Sequence, residues 1–509
     1  MRSVSRISAR LLLSVAAAML ATTRMASPAV AGADRGPAVN RAYQHLLRME
    51  GAREARMAAR EHPGQALPIG ILPTAPSVLS QPQDVQQIAE DTLKGGEQGT
   101  QVEPDMAIDP NNPDSLVAVV QQGRFKTGGS ADPGFATSLD GGSTWASGNL
   151  PGLTKAVGGP FDRGSDPNAA FGPNHVAYAS TIEFSFGHKD CPSAVGVNVS
   201  TDGGLTWGDP VFPESDTSCD VFNDKNWLTA DTNPASPFFG RVYLVWSLFS
   251  PVASPAVLRY SDDGGQSWSD LVYASSQTAQ SEGLIPLVHS NGDLTIVYDQ
   301  TVGTQDLEVA QTSTDGGLTF GPAVTIAEFL GAGDPGLRTG GLPAAAIDPT
   351  TDELYVVWQD TRFRADGHND IVISSSTDGG LSWSDPARVN GPDPKGQVLD
   401  HFTPDVAAYG GTVHVTYRTR DFAGKHASEF VDERYVASTD GGASFGTELL
   451  LGPPTELKYA AQVTGGRAFL GDYMAVVANG QVAHAAWCVA LFSKNSRYNQ
   501  TLWSGTILP

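Results

Sequence analysis

The eight residues STDGGLTW at 200–207 return five more times with little change: SLDGGSTW at 138, SDDGGQSW at 261, STDGGLTF at 313, STDGGLSW at 376 and STDGGASF at 438. The starts are 62, 61, 52, 63 and 62 residues apart. Self-similarity at a near-constant period means a chain built from repeated supersecondary units that bury a core only by packing on one another. In the pattern S-x-D-x-G-x-[ST]-[WF] the glycines permit the positive dihedral angles of a tight turn, and the Asp carboxylate accepts backbone N–H bonds from it. The terminal aromatic supplies apolar surface to wedge between units. A structural turn is copied with every unit, whereas a catalytic carboxylate needs no sixfold copy. The box is therefore scaffold, and chemistry belongs to residues that do not repeat.

A second element, a strand, a turn and a strand, stands about 30 to 35 residues before each box. Its copies begin at Glu103, Ser165, Lys225, Glu282, Leu342 and Thr403, and a seventh begins at Phe469 with no box after it. Short Val/Ile/Tyr/Trp-rich runs broken by Gly, Asp, Asn and Pro are all-β grammar. About 60 residues suit one four-stranded propeller blade. The seventh copy leaves room for a third strand, NQTLWSGTIL, but not a fourth, which QDVQQIAE at 83–90 can supply. Closing a ring with strands from both ends removes the edges of an open sheet. The sequence thus predicts a seven-bladed β-propeller over 81–509, with six blades as the alternative.

Ahead of the propeller, residues 1–31 read as a secretory signal: Arg2, Arg6 and Arg10, a short apolar run, and a small-residue cleavage site ending at Ala31. Residues 32–80 are read as a helical segment, with Tyr43, Leu46, Leu47 and Met57 at helical spacing, followed by a Pro-rich linker; together they are a candidate pro-region or docked helix. No later stretch approaches the ~20 apolar residues of a membrane span, so no anchor is expected. The formal charge is −23, and −27 without residues 1–33. Such an acidic chain is a poor partner for nucleic acid, whose binding relies on Lys and Arg at phosphates. Cys191 and Cys219 can pair in an oxidising compartment, while Cys488, in the apolar run VAHAAWCVA, reads as a buried thiol. An extracellular, monomeric protein is expected.

The boxes resemble the Asp-boxes, or bacterial neuraminidase repeats, of the sialidase superfamily, and the likeness covers roughly 81–509. It implies that each box joins a third and a fourth strand on the face opposite the functional one. Starts of first strands and ends of second strands then meet around the mouth of the central channel. First-strand starts carry Glu103, Asp105, Asp166, Asp224, Lys225, Glu282, Asp405, Asp472 and Tyr473; second-strand ends carry Arg124, Asp299, Asp360, Arg362, Arg418 and Arg420. Guanidinium forks clamp a sugar carboxylate in two-point fashion. Sialidases pair a tyrosine nucleophile with a carboxylate base. By position Tyr473 and Glu282 resemble that pair, Asp105 or Asp166 the acid, and Arg124, Arg362 and Arg418 the clamp, with Arg338 and Arg467 in reserve.

The chain departs from the family in lacking an F/Y-R-I-P motif. Two functions are therefore expected as alternatives: a secreted sialidase-like glycosidase acting on a terminal or acidic sugar, and a non-catalytic propeller that binds a glycan or glycoprotein. No cofactor is expected. The Asp-rich turns at Asp109 and Asp348 have the oxygen chemistry of a calcium site without its regular spacing, and are read as turns. Trp246, Trp358 and Trp487, ending second strands, are candidates for stacking on sugar rings; Trp145, Trp207, Trp268 and Trp383 belong to boxes and to the core.

Overall fold

The computed structural model describes residues 39–60 and 81–508, apart from 188, 425 and 481. Residues 1–31, read from the sequence as a secretory signal, and the Pro-rich stretch lie outside the described residues. The fold is an all-β propeller carrying one helix, Arg41–Ala59. No helix among the described residues is long and apolar enough to cross a membrane.

Hydrogen bonding gives five sheets of four or more strands, one of them of twelve strands, and a small three-stranded sheet of Leu337–Arg338, Ala468–Phe469 and Ala461–Gln462. In sequence order each group runs antiparallel, as in Ser281–Val288, Leu294–Val302, Gln305–Ser313 and Val324–Glu328. The first strands of successive groups pack side by side. Ala475–Asn479 touches both Leu399–Tyr409 and Glu97–Asp109, which closes the ring. Gln83–Gln87 pairs antiparallel with Gln500–Ile507, so the strand missing from the last group does come from the front of the propeller.

Every box makes the same four bonds. In the second, the Ser200 hydroxyl donates to Asp202 at 2.8 Å and accepts from Gly204 N at 2.8 Å, while Thr206 donates to Asp202 through N at 2.9 Å and Oγ1 at 2.6 Å. Its two glycines have φ of 75° and 92°, in the left-handed region that suits glycine. The second glycine also seats the box on the group before it. A Cβ at Gly204 would lie 2.3 Å from Val117 Cγ2, and one at Gly142 would lie 3.3 Å from Thr506 Oγ1, in the closing strand. The boxes are thus rivets between neighbours. Gly204→Ala is expected to cost about 1–3 kcal/mol from overpacking, plus left-handed strain of about 1–2 kcal/mol. Gly203→Ala, whose Cβ would have 3.5 Å of room, should carry the strain alone. Paired thermal melts test this, and equal losses would refute the rivet.

Trp246, Trp358 and Trp487 are fully buried in core clusters. The expectation that they stack on sugars is corrected: each is held beneath its sheet by neighbouring aliphatic side chains. Cys191 and Cys219 form a disulfide, and Cys488 is buried. Asp109 and Asp348 accept N–H bonds from Asn111 and Thr350, both at 2.8 Å, as turn residues do. Among the described residues no group of three or more His, Cys, Asp or Glu is placed to hold a metal.

Candidate functional site at the mouth of the channel

Five of the first strands are irregular at one level. Their pairing slips between Val102 and Asp105, Ser165 and Asn168, Asp224 and Trp227, Glu282 and Ile285, and Phe402 and Asp405. A bulge there puts an extra residue into the strand and re-aims what precedes and follows it. The residues at the bulges have positive φ: Glu103 54°, Asp166 49°, Lys225 53°, Gly283 70° and Thr403 49°. Such angles cost non-glycine residues energy and concentrate at functional sites. Pro104, Pro167 and Pro404 follow three of them, where the absence of an N–H is no loss.

Three of these side chains, Glu103, Asp166 and Lys225, line one cavity of about 700 Å³. Asp224, Glu282, Asp472, Arg124, Arg163, Arg338 and Arg467 share its walls. Glu103 is 3 % exposed and accepts from the Gln121 amide. Burial, reinforced by the carboxylates of Asp166 and Asp472, pushes its acid well above the usual range. Asp166 accepts from the Ser165 hydroxyl at 2.9 Å and from Lys225 N at 3.0 Å. The Lys225 ammonium lies 3.4 Å from the centre of the Tyr473 ring.

Helix Arg41–Ala59 forms the other wall. Asn40 caps it, accepting from Tyr43 N at 2.8 Å, and Ala42, Leu46, Arg53 and Met57 form its buried stripe. Leu47, expected on that stripe, is exposed. An arginine within an apolar stripe needs a partner, and Arg53 has one, Asp299, at 2.6 Å. Asp306, Glu308 and Glu282 add to the acidic field around it. Arg56 pairs with Asp306 at 2.5 Å. In the opposite sense, Glu50 reaches Arg338 at 2.8 Å and Glu54 reaches Arg467 at 2.8 Å. Arg338 also holds Asp472 at 3.0 Å.

The expected site residues divide accordingly. Asp166, Glu282 and Arg124 stand at the cavity. Asp105 does not: it accepts from Asn168 Nδ2 at 2.7 Å and Ala169 N at 2.8 Å, on the next group's first strand. Asn168 repeats the stitch to Leu228 N and Asp405 to Val476 N, both at 2.7 Å. Asp105 is therefore a tie between neighbouring groups and does not reach the cavity. Arg362 is bound to Asp360 at 2.7 Å and to the Glu328 carbonyl, and Arg418 is fully buried, donating to the Leu470 and Gly471 carbonyls at 2.8 and 3.0 Å. Neither is available for a clamp. The reserve residues Arg338 and Arg467 stand at the mouth with Arg124, beside Arg163, which the sequence reading missed. Arg163 opens its first strand, Arg338 and Arg467 lie just ahead of theirs, and that position is the signal that finds them.

Glu282 and Tyr473 do not form the expected pair. The Tyr473 hydroxyl donates to the Pro167 carbonyl at 3.1 Å, under the Lys225 ammonium. Burial and then the Glu103 carboxyl push its phenol well above 10. Glu282 stands beside Arg53 and Asp299, and burial followed by the Glu50 carboxylate pushes it up to about 8. If a substrate is turned over at this site, Tyr473→Phe should leave the rate within about tenfold of the parent, since one buried bond to a carbonyl is worth only about 1 kcal/mol. A loss of a hundredfold would restore the tyrosine to the chemistry.

These features define a β-propeller with BNR/Asp-box repeats, and residues 259–270 match the BNR/Asp-box repeat model. No curated protein matches the chain. Similar solved structures include the intramolecular trans-sialidase of Ruminococcus gnavus in complex with oseltamivir carboxylate (13 % identity, TM-score 0.43, 65 % of this chain and 92 % of that one). Others are the sialidase of Trypanosoma rangeli with sialic acid (13 %, 0.45, 83 % and 71 %) and the α-L-arabinanase of Penicillium chrysogenum with arabinobiose (13 %, 0.45, 70 % and 98 %). At such identities and scores none of them assigns a residue or a substrate to this chain.

Proposed function

We propose that the protein is an exported glycoside hydrolase acting on a terminal or acidic sugar of an extracellular glycan, with Glu103 as proton donor and Asp166 as the second carboxylate. One observation carries the reading: strained bulges bring a buried Glu103, whose acid burial pushes well above the usual range, and the carboxyl of Asp166 to one cavity ringed by arginines. A protonated acid beside a second carboxylate is the usual equipment for cleaving a glycosidic bond, and the arginines suit an anionic sugar. A panel of fluorogenic glycosides tests it. Turnover that survives in both Glu103→Gln and Asp166→Asn would sink the assignment. The alternative, a glycan-binding propeller without turnover, is favoured by the ion pairs that already engage Arg338 and Arg467; saturable hydrolysis would remove it.

Three further readings belong with this one. The twelve-stranded sheet is three blades joined by short bridges, at Ser130 to Gly164 and Thr100 to Gln500, so the ring has seven blades. The disulfide suits an oxidising compartment and supports export, and we read the exported protein as a monomer. The helix Arg41–Ala59 acts as a pro-region, restricting the mouth through the ion pairs of Glu50, Arg53, Glu54 and Arg56.

A further inference from the structure

Beside the mouth lies a second cavity of about 720 Å³. The three-stranded sheet separates the two. Arg338 and Arg467 line the mouth, whereas Gly336, Gly466 and Ala468 of the same segments line the neighbouring groove. One amide spans the wall: Gln462 Oε1 accepts from Lys126 Nζ, on the mouth side, at 3.1 Å, and from Arg497 Nη2, on the groove side, at 3.4 Å. A chain molecule leaving the mouth over this wall would enter the groove directly.

The groove is unlike the rest of this acidic molecule. Lys458 and Arg497 line it and are exposed, and neither makes an ion pair among the described residues. At its back, Arg420 is neutralised by Asp334 and contributes no net charge. Glu429 is the one carboxylate in the lining. Aromatic surface accompanies the cations. The Lys458 ammonium sits 5.3 Å from the Tyr459 ring centre, and Phe492, 62 % exposed, stands edge-on to Tyr459 at 5.6 Å. An apolar ring face flanked by uncommitted cations is chemistry for a sugar bearing a negative charge: the ring covers the C–H face of the pyranose, and ammonium and guanidinium take the acid group. A cleft with a surplus of cations within a protein of net charge −23 also concentrates that field locally.

Resting on the glycan-acting reading of the mouth, we propose that this groove is a subsite for an anionic sugar unit, so that the substrate is a polyanionic saccharide chain extending from the mouth across Gln462 to Lys458, Arg497 and Phe492. Uronate and sulfate share the required chemistry.

Binding of hexagalacturonate, a chondroitin sulfate hexasaccharide and neutral maltohexaose to the full chain tests the proposal, alongside Lys458→Ala/Arg497→Ala and the milder Lys458→Gln/Arg497→Gln. The parent should bind at least one charged hexasaccharide about tenfold more tightly than maltohexaose, and both double variants should lose that preference along with most of its salt dependence. Which charged probe wins identifies the acid group. Phe492→Ala should weaken charged binding while leaving the salt dependence intact. Turnover of a small aryl glycoside should not change in any of these variants. Equal affinity in parent and double variants, or equal affinity for charged and neutral chains, overturns the subsite. If no glycoside is turned over but the charged preference is lost in the variants, the groove stands and the hydrolytic reading falls.

Discussion

Glu103→Gln is expected to lower kcat by about 10²–10⁴-fold on a substrate with a poor leaving group, the usual contribution of a positioned general acid. The amide keeps the size of the acid and the bond from Gln121 to its oxygen, so the fold should survive with its melting temperature within a few degrees. What is lost is the acid proton of Glu103, which burial and the Asp166 and Asp472 carboxylates hold more tightly than usual. An aryl substrate whose leaving group needs no protonation should therefore be far less affected, and the ratio between the two substrates is the diagnostic. If both lose activity equally, Glu103 serves only to shape the cavity.

Arg53→Ala is expected to release the helix. Removing one partner of a buried ion pair costs about 3–5 kcal/mol, because the other charge stays behind without compensation. Here the remainder is severe: Asp299 loses its 2.6 Å partner, and Glu308, buried with both oxygens unpaired, loses the cation that offsets it. The helix is joined to the ring by such ion pairs together with its apolar stripe, so amide exchange along Arg41–Ala59 should quicken by at least about 100-fold while the sheets stay protected. With the pro-region reading, small-glycoside turnover should rise in the same variant. Faster exchange without higher turnover would mean that the helix braces the mouth rather than covering it.

Stability should also carry an unusual pH profile. Burial pushes Asp105 up to about 7 and Asp405, Glu183, Glu282 and Glu433 up to about 8. Acids raised in the folded state hold protons that the unfolded chain has already released above about pH 4. Their contribution is complete below that pH and is lost as pH climbs through about 7 and 8. The box aspartates work in the other direction: Asp263, lowered to about 2 by the Ser267 hydroxyl and backbone, adds stability above about pH 4 that disappears only as pH falls towards 2. The melting temperature should therefore peak near pH 4–6 and decline towards pH 8. A flat profile between pH 5 and 8 would contradict these shifts.

The architecture was readable in the sequence because the repeat encodes it twice, once in the boxes and once in the paired strands before them. Even the strand from residue 83 could be placed, since its absence left an edge without a partner. The site was harder, for a reason visible at Glu103 and Asp105. Strand alternation treats the two as equivalent, two positions apart, but the bulge between them turns one towards the cavity and sends the other to Ala169 of the next sheet. Depth was also hidden. Arg418 and Arg362 sit where a clamp would be drawn, yet one feeds two carbonyls from full burial and the other is taken by Asp360, two residues away. Arg53 gave no local sign at all, since its acids come from Asp299 and Glu308, more than 200 positions downstream.

The pairing of Gln83–Gln87 with Gln500–Ile507 sets a timetable for biogenesis. The polypeptide cannot fasten its circle until some 420 intervening residues have emerged, so a nascent chain must carry both rims of an incomplete arc unsatisfied. Such intermediates invite aggregation, which makes a holding chaperone in transit, and late, all-at-once acquisition of protease resistance, the natural companions of this design.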